Sequence, residues 1–274
     1  MEASPLVADL HSHTTVSDGS FTLETLTDAA QRADLDWVAV TDHDRIHPDI
    51  EAPVVERQVD SREKPLRLIR GIELRVKAGD QRVDLLGYGV ERTDALVAES
   101  NRLQQNRKDR AGEIVECVED QLNVELDISI DEGVGRPHIA RAIEASEAPL
   151  DFGGAFEELI GDGESCYVAR EIPDFETGKN LLSEACSIVG LAHPLRYDHP
   201  EAALEYASQL DAVERFYTYG RPVDSDPVEQ VAAQHDLLLT GGTDAHELEL
   251  GQAGLTADQF APLRDRLPPA TPAN

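Results

Sequence analysis

Short apolar segments alternate with helix-period patterns through most of this chain, and that rhythm restricts it to βα units feeding a mainly parallel sheet. Strands are predicted at 6–10, 37–40, 66–69, 83–88, 188–192, 212–216 and 237–239. Between the first two, Leu23, Leu26, Ala30 and Ala33 recur at helical spacing behind Thr22, whose hydroxyl suits an N-cap, so the chain starts as a βαβ unit. From about Ala95 to Cys166 the strand rhythm stops. Leu103, Ile114, Cys117, Val118, Gln121 and Leu122 mark a long amphipathic helix followed by shorter ones, a helical insertion. Residues 164–172 are predicted to return to strand and 178–185 to helix. A single domain over 1–267 is expected, with the insertion at about 95–166 and a proline-rich, disordered tail at 268–274.

The histidines and acids respect this rhythm. In Asp9-Leu10-His11-Ser12-His13 two imidazoles stand two residues apart at a strand end, so both face one side. Asp18-Gly19 follows, and Thr41-Asp42-His43-Asp44 sits directly after the second strand. Gly71-Ile72-Glu73 is placed at the end of the third, Ala192-His193-Pro194 ends the Ile188 strand, and Gly241-Gly242-Thr243-Asp244-Ala245-His246 follows the last. In a barrel or open α/β sheet that edge is where loops assemble an active site. Imidazoles mixed with carboxylates, without thiolates, suit zinc, manganese or iron in a hydrolytic site rather than a closed structural zinc. More than four candidate ligands imply more than one ion, the arrangement expected for phosphate ester hydrolysis. His47, His199 and His235 lie outside these motifs and read as surface or capping residues.

Composition limits the partners. Asp plus Glu number 54 against 24 Lys plus Arg, a net charge of -30, which disfavours duplex nucleic acid and anionic membranes. Only Lys64, Lys77, Lys108 and Lys179 are lysines, and the acid is spread along the chain, as expected of a protein from a salt-loaded cytoplasm, where molar salt shortens the Debye length to about 3 Å. The absence of a basic, apolar leader and of a long apolar run argues for a cytoplasmic protein without a membrane span. Cys117, Cys166 and Cys186 are odd in number and lack CxxC spacing, so they are expected as small core residues rather than a disulfide framework.

The ordered set DLHSHTTVSDGS, VTDHD, GIE, GRPHIA, AHP and GGTDAH resembles the PHP (polymerase and histidinol phosphatase) family of metal-dependent phosphoesterases over most of residues 6–247. The resemblance implies a distorted (β/α)7 TIM-like barrel holding two or three divalent ions, Mn, Zn, Fe or Mg. Carried over by position, His11, His13 and Asp244 hold one ion, Glu73 bridges to a second bound by His193, and Asp18, His43 and His246 hold a third. The family usually has histidine three residues before the glycine of its LLG-type segment. Here Asp84-Leu85-Leu86-Gly87 supplies Asp84, a candidate ligand for harder metals such as manganese or magnesium.

Within the insertion, Asn106-Arg107-Lys108-Asp109-Arg110 and Gly135-Arg136-Pro137-His138 resemble the branch acting on nucleoside 3',5'-bisphosphates and 5' ends of short RNA. Arg136 and His138 at a helix N-terminus suit phosphate, because a guanidinium forks its donors and the helix end adds free N–H groups. Arg107 and Arg110 are further substrate-binding candidates. The expectation is a phosphatase in which a metal-activated hydroxide attacks phosphorus, with His193 or Asp244 assisting proton transfer and Arg136 with His138 orienting the phosphate. The alternatives are a histidinol phosphate phosphatase and a non-catalytic metal-binding module.

Overall fold

The seven strands predicted from the βα rhythm are present in the computed structural model, which describes residues 4–59, 64–131 and 133–272. The described residues fall into two compact units, one made of residues up to Ser100 and from Ile172 onward, the other of Asn101–Glu171.

The first unit holds the sheet. Strands β1 (Leu6–Asp9) and β2 (Trp37–Val40) flank helix α1 (Leu23–Arg32), whose Thr22 hydroxyl accepts from Thr25 N at 3.2 Å as the spacing predicts. Then come β3 (Val54–Arg57), β4 (Leu66–Ala78), β5 (Gln81–Tyr88) and helix α2 (Asp94–Leu122), which continues into the second unit. Helices α3 (Arg136–Ala145) and α4 (Phe152–Ala155) belong to that second unit. After it follow α5 (Phe175–Ala185), β6 (Ile188–Leu191), α6 (Pro200–Ala207), β7 (Ala212–Tyr217), α7 (Asp226–His235) and β8 (Leu238–Gly242), and then β9 (Leu255–Thr256), α8 (Ala257–Arg264) and β10 (Thr271–Pro272).

Seven strands run in the order β8-β7-β6-β5-β4-β2-β1, and Leu10 N donates to Gly241 O at 3.0 Å, which brings the two ends of the row together in a nearly closed barrel. Buried apolar side chains such as Ala8, Leu10, Ala39, Ile69, Leu86 and Ala212 pack among the strands. The barrel is distorted because β5 runs antiparallel to both β4 and β6, whereas the other neighbours in the row are parallel.

Some expectations need correction. β4 does not end at Ile69. It pairs with β2 over Arg67–Arg70, then exchanges partners and pairs with β5 over Gly71–Ala78, so Glu73 lies inside a strand rather than at its end. Residues 164–172 form no strand. Of the proline-rich tail, Thr271 and Pro272 lie in parallel register with β3, and the expected disorder at 273–274 falls outside the described residues. His47 is not a surface residue: it is 4% exposed, and its Nδ1 accepts from Asp49 N.

The second unit packs Ile114, Val118, Val134, Ile139, Ile143 and Ile160 into a core of its own. Here the cysteine expectation fails. Cys117 and Cys166 form a disulfide with their Cα atoms 5.6 Å apart, and only Cys186 remains free. An odd count leaves one thiol over without preventing the others from meeting across 49 residues of chain.

Candidate metal centre

At the rim of the barrel the chain leaves β1 and β2 in loops that turn His11, His13 and His43 toward one point. Asp42 shapes the first loop, accepting from Thr14 N at 2.7 Å, from the Thr14 hydroxyl, and from the Ser17 hydroxyl at 2.7 Å. Gly19 is required there because a Cβ would sit 2.2 Å from His13 O, inside any contact distance. Gly242 is required for the same reason, since its Cβ would meet His11 N at 2.3 Å.

Three overlapping groups of donors result: His11, His13, Glu73 and Asp244; His13, Asp18, His43 and His246; and Glu73, Asp84 and His193. Within each group the donor atoms lie within 4.8 Å of one another. His13 Nε2 is 3.0 Å from Asp244 Oδ1 and 3.2 Å from Glu73 Oε2, and His43 Nδ1 is 2.9 Å from Glu73 Oε2. His11, His13, Glu73 and His193 are buried.

The donor set fits divalent ions in the first two groups. His11 Nε2, both ring nitrogens of His13, Asp18 Oδ1 and Glu73 Oε2 are buried and have no hydrogen-bond partner among the described residues, although they sit at ion-pair range from one another. Buried polar atoms without partners are costly and call for a ligand. The outward nitrogens, by contrast, are held. His11 Nδ1 lies 3.1 Å from Glu214 Oε1, and His246 Nδ1 lies 2.9 Å from Asp244 O, which leaves each Nε2 facing inward. A carboxylate or carbonyl behind an imidazole is the usual support of a metal-ligating histidine. Asp244 is aimed similarly: Oδ2 accepts from Tyr217 Oη at 2.8 Å and Arg196 Nη1 at 2.9 Å, leaving Oδ1 to the cluster.

The backbone is bent to make these approaches, with positive φ at Asp44 (56°), His193 (26°) and Asp244 (54°). Non-glycine residues there are uncommon and tend to gather at functional sites. The charges are matched without ions. Burial opposes protonation of His13, but the Asp244 and Glu73 carboxylates at ion-pair range of its Nε2 outweigh it and raise its pKa to about 10. Burial likewise raises the Asp18 carboxyl, and His246, His43 and His13 more than reverse it, holding the group well below the usual carboxylate range.

The third group differs. Both Asp84 oxygens accept from Arg75, Oδ1 from Nε and Oδ2 from Nη2, each at 2.7 Å, while His193 Nε2 is 3.8 Å from Oδ2.

Sequence reasoning missed Asp9, Glu214 and Arg75. Asp9 accepts from Thr243 N, the Thr243 hydroxyl and Gly251 N, fastening the loop after β8 to β1. Glu214 also accepts from His193 N at 2.7 Å, so one carboxylate positions two imidazoles. Asp9 and Glu214 are fully buried acids that follow apolar residues within their strands, a signal visible in the sequence.

The remaining site candidates lie in the second unit. Arg107 and Arg110 are each 7% exposed on α2. Arg110 Nε donates to Val168 O, and burial together with the nearby Arg136, Arg170 and Arg107 charges pushes its guanidinium down to about 10. Arg136 donates to Ile160 O and Asp162 and lies over the Phe156 and Tyr167 rings. His138 Nδ1 accepts from Gly135 N at the start of α3.

Comparison with known proteins agrees with this geometry. Residues 9–133 match the PHP domain. The 5'-3' exoribonuclease Rnm of Salmonella typhimurium is 24% identical, over 90% of this chain and 89% of its own. The 3',5'-nucleoside bisphosphate phosphatase of Chromobacterium violaceum is 26% identical over 72% of this chain and 70% of its own. A candidate metal-dependent phosphoesterase from Bifidobacterium adolescentis superposes with a TM-score of 0.76 at 23% identity, covering 97% of this chain and 99% of that one, a likeness that speaks for the fold. The match ends before His193, Asp244 and His246, and the barrel brings those three to the residues inside it. The chain thus matches the PHP domain over residues 9–133 and shares the barrel fold of that solved structure.

Proposed function

We propose that this protein is a metal-dependent phosphoesterase that hydrolyses phosphate monoesters of nucleotides, either 3',5'-bisphosphates or the 5' ends of short RNA. The observation that carries the reading is the set of inward-facing, partnerless donors on His11, His13, Asp18 and Glu73, with supporting groups behind them. The names of the relatives support the substrate class.

His11, His13, Glu73 and Asp244 would hold one ion and His13, Asp18, His43 and His246 another. Divalent ions, when bound, neutralise phosphoryl oxygens and acidify water, so no separate strong base is needed. The chain's own residues do the positioning. Glu214 keeps the His11 ring turned inward and fixes the His193 backbone, while Arg196 and Tyr217 hold Asp244. Proton transfer to the leaving oxygen is assigned to His193 or Asp244. Phosphate binding is assigned to Arg136 and His138, with Arg107 and Arg110, and the clustered charge of the three arginines within their own unit supports it.

The test is phosphate release with manganese at molar potassium chloride from adenosine 3',5'-bisphosphate, a 5'-phosphorylated short RNA and histidinol phosphate, with His11→Ala as control. Release from either nucleotide, lost in the variant, supports the reading. Release from histidinol phosphate alone transfers the protein to amino-acid metabolism, and a folded, metal-loaded protein without turnover overturns the enzymatic reading. Arg136→Ala is expected to raise KM for the nucleotide at least tenfold while leaving metal content unchanged.

A further inference from the structure

Arg75 is a cation built into the Glu73–Asp84–His193 corner of the candidate metal centre, and its place follows from strand register. On β4, Glu73 and Arg75 are two residues apart and so share a face, and Arg75 stands directly opposite Asp84 of β5 in the antiparallel ladder. Asp84 is fixed from the other side, since its N donates to Tyr197 Oη at 2.8 Å and its O accepts from Ala192 N at 3.0 Å. The Arg75 backbone is fixed too, its N donating to Asp44 Oδ1. The fork-to-fork pair, two bonds of 2.7 Å, is therefore held by two rigid strands.

That pair occupies the Glu73–Asp84–His193 corner. Without Arg75, two carboxylates and a neutral imidazole would offer a divalent ion two negative charges. A guanidinium, which stays protonated in proteins, cancels one of them and uses both Asp84 oxygens. A further dication would also face the charge of the ion held by His11, His13, Glu73 and Asp244, the group with which Glu73 is shared. The corner does not fit a third cation.

We propose that Arg75 stands in for a divalent cation at this corner, so that the protein binds two ions rather than three, and that the free edge of the guanidinium takes a phosphoryl oxygen. Arg75 Nη1 makes no hydrogen bond among the described residues, and the side chain is 36% exposed while Asp84 is 2% exposed, so the edge turned away from Asp84 is open to an anion. The count of ions rests on the metal-centre reading and not on the identity of the substrate.

The test is the manganese content of the full chain after loading and desalting, measured by elemental analysis. Two equivalents are expected for the wild type, and a third is expected to appear in the Arg75→Ser, Asp84→His double variant. Three equivalents in the wild type, or two in a folded double variant, overturn the substitution of arginine for metal. If the double variant does not fold, Arg75→Gln, a shorter polar side chain that removes the charge, serves in its place. A gain of manganese beyond two equivalents supports the proposal, and an unchanged count overturns it. The anion role is read by calorimetric titration of the manganese-loaded chain with inorganic phosphate. Weakening of at least tenfold in Arg75→Gln is expected, and an unchanged Kd overturns that role. Failure of every nucleotide substrate with a count of two would sink the proposed activity and leave this inference standing.

Discussion

Among the described residues the candidate ligands that Glu214 hydrogen-bonds are His11 and His193, and removing its charge should weaken metal binding. In Glu214→Gln one oxygen becomes an NH2 group with nearly unchanged volume. If the amide nitrogen takes the Oε1 position, it presents a donor to His11 Nδ1, 3.1 Å away, and drives that ring to the tautomer protonated on Nε2. The inward nitrogen then carries a hydrogen and cannot ligate. If the nitrogen takes the Oε2 position, it opposes the His193 N–H at 2.7 Å, leaving a buried donor unsatisfied at about 1–3 kcal/mol. Both orientations harm one ligand. Losing such outer support typically costs about 10–100-fold in metal affinity, or about 1.4–2.7 kcal/mol. Competition against a chromophoric chelator reads the manganese affinity, and circular dichroism of the metal-free variant shows that the fold is intact. Affinity within twofold of wild type in a folded variant would refute the claim that Glu214 sets the His11 tautomer.

Three further outcomes are expected. The unreduced, denatured chain should show one reactive thiol and the reduced chain three; closing a loop of 49 residues contributes about 4 kcal/mol in the chain-entropy account, so Cys117→Ser should lower the denaturation midpoint markedly. The thermal midpoint should rise as potassium chloride increases from about 0.1 M to about 2 M, because screening relieves the repulsion of a net charge of -30, and a midpoint that falls with salt contradicts this. The metal-free chain should lose stability with rising pH: the His13 pKa is raised from an ordinary 6.5 to about 10 on folding, so its contribution is fully present below about 6.5 and lost as pH climbs through about 10. Thermal melts across that window test this, and a flat profile for the metal-free chain would count against the His13 pairing.

How much of this was legible in the sequence depended on the range of each interaction. His11 and His13 share a face because strand alternation places them so, and that is a two-residue argument. His193, Asp244 and His246 were legible because the ends of parallel strands converge in a barrel, whatever lies between them in sequence. Asp84 was noticed as an aspartate where histidine was expected, but its partner was invisible. Arg75 meets it only because β4 changes from parallel pairing with β2 to antiparallel pairing with β5, and a periodicity pattern does not report that exchange. The disulfide escaped for a related reason: Cys117 lies on α2 and Cys166 in a loop, and no local spacing encodes their approach.

The same geometry explains why a chain would retain so many ionisable groups in its interior. An isolated buried carboxylate or imidazolium is strongly disfavoured, yet here the His13 ring lies 3.0 Å from Asp244 and 3.2 Å from Glu73, so these buried groups offset one another's charge. Arg75 extends this logic to a corner where charge is balanced permanently. A metal ion can be lost to a chelator or exchanged for another, whereas an arginine held by two strands cannot. Placing a fixed cation there trades a tunable site for one whose charge and position do not depend on metal supply. It also makes the bidentate pair with Asp84 part of the barrel's own cross-strand register rather than an addition to it. Loosening that pair should therefore be felt in both ion count and strand pairing. Arg75→Lys, which keeps the charge but loses the planar fork, separates the two: it should preserve the count and weaken the register.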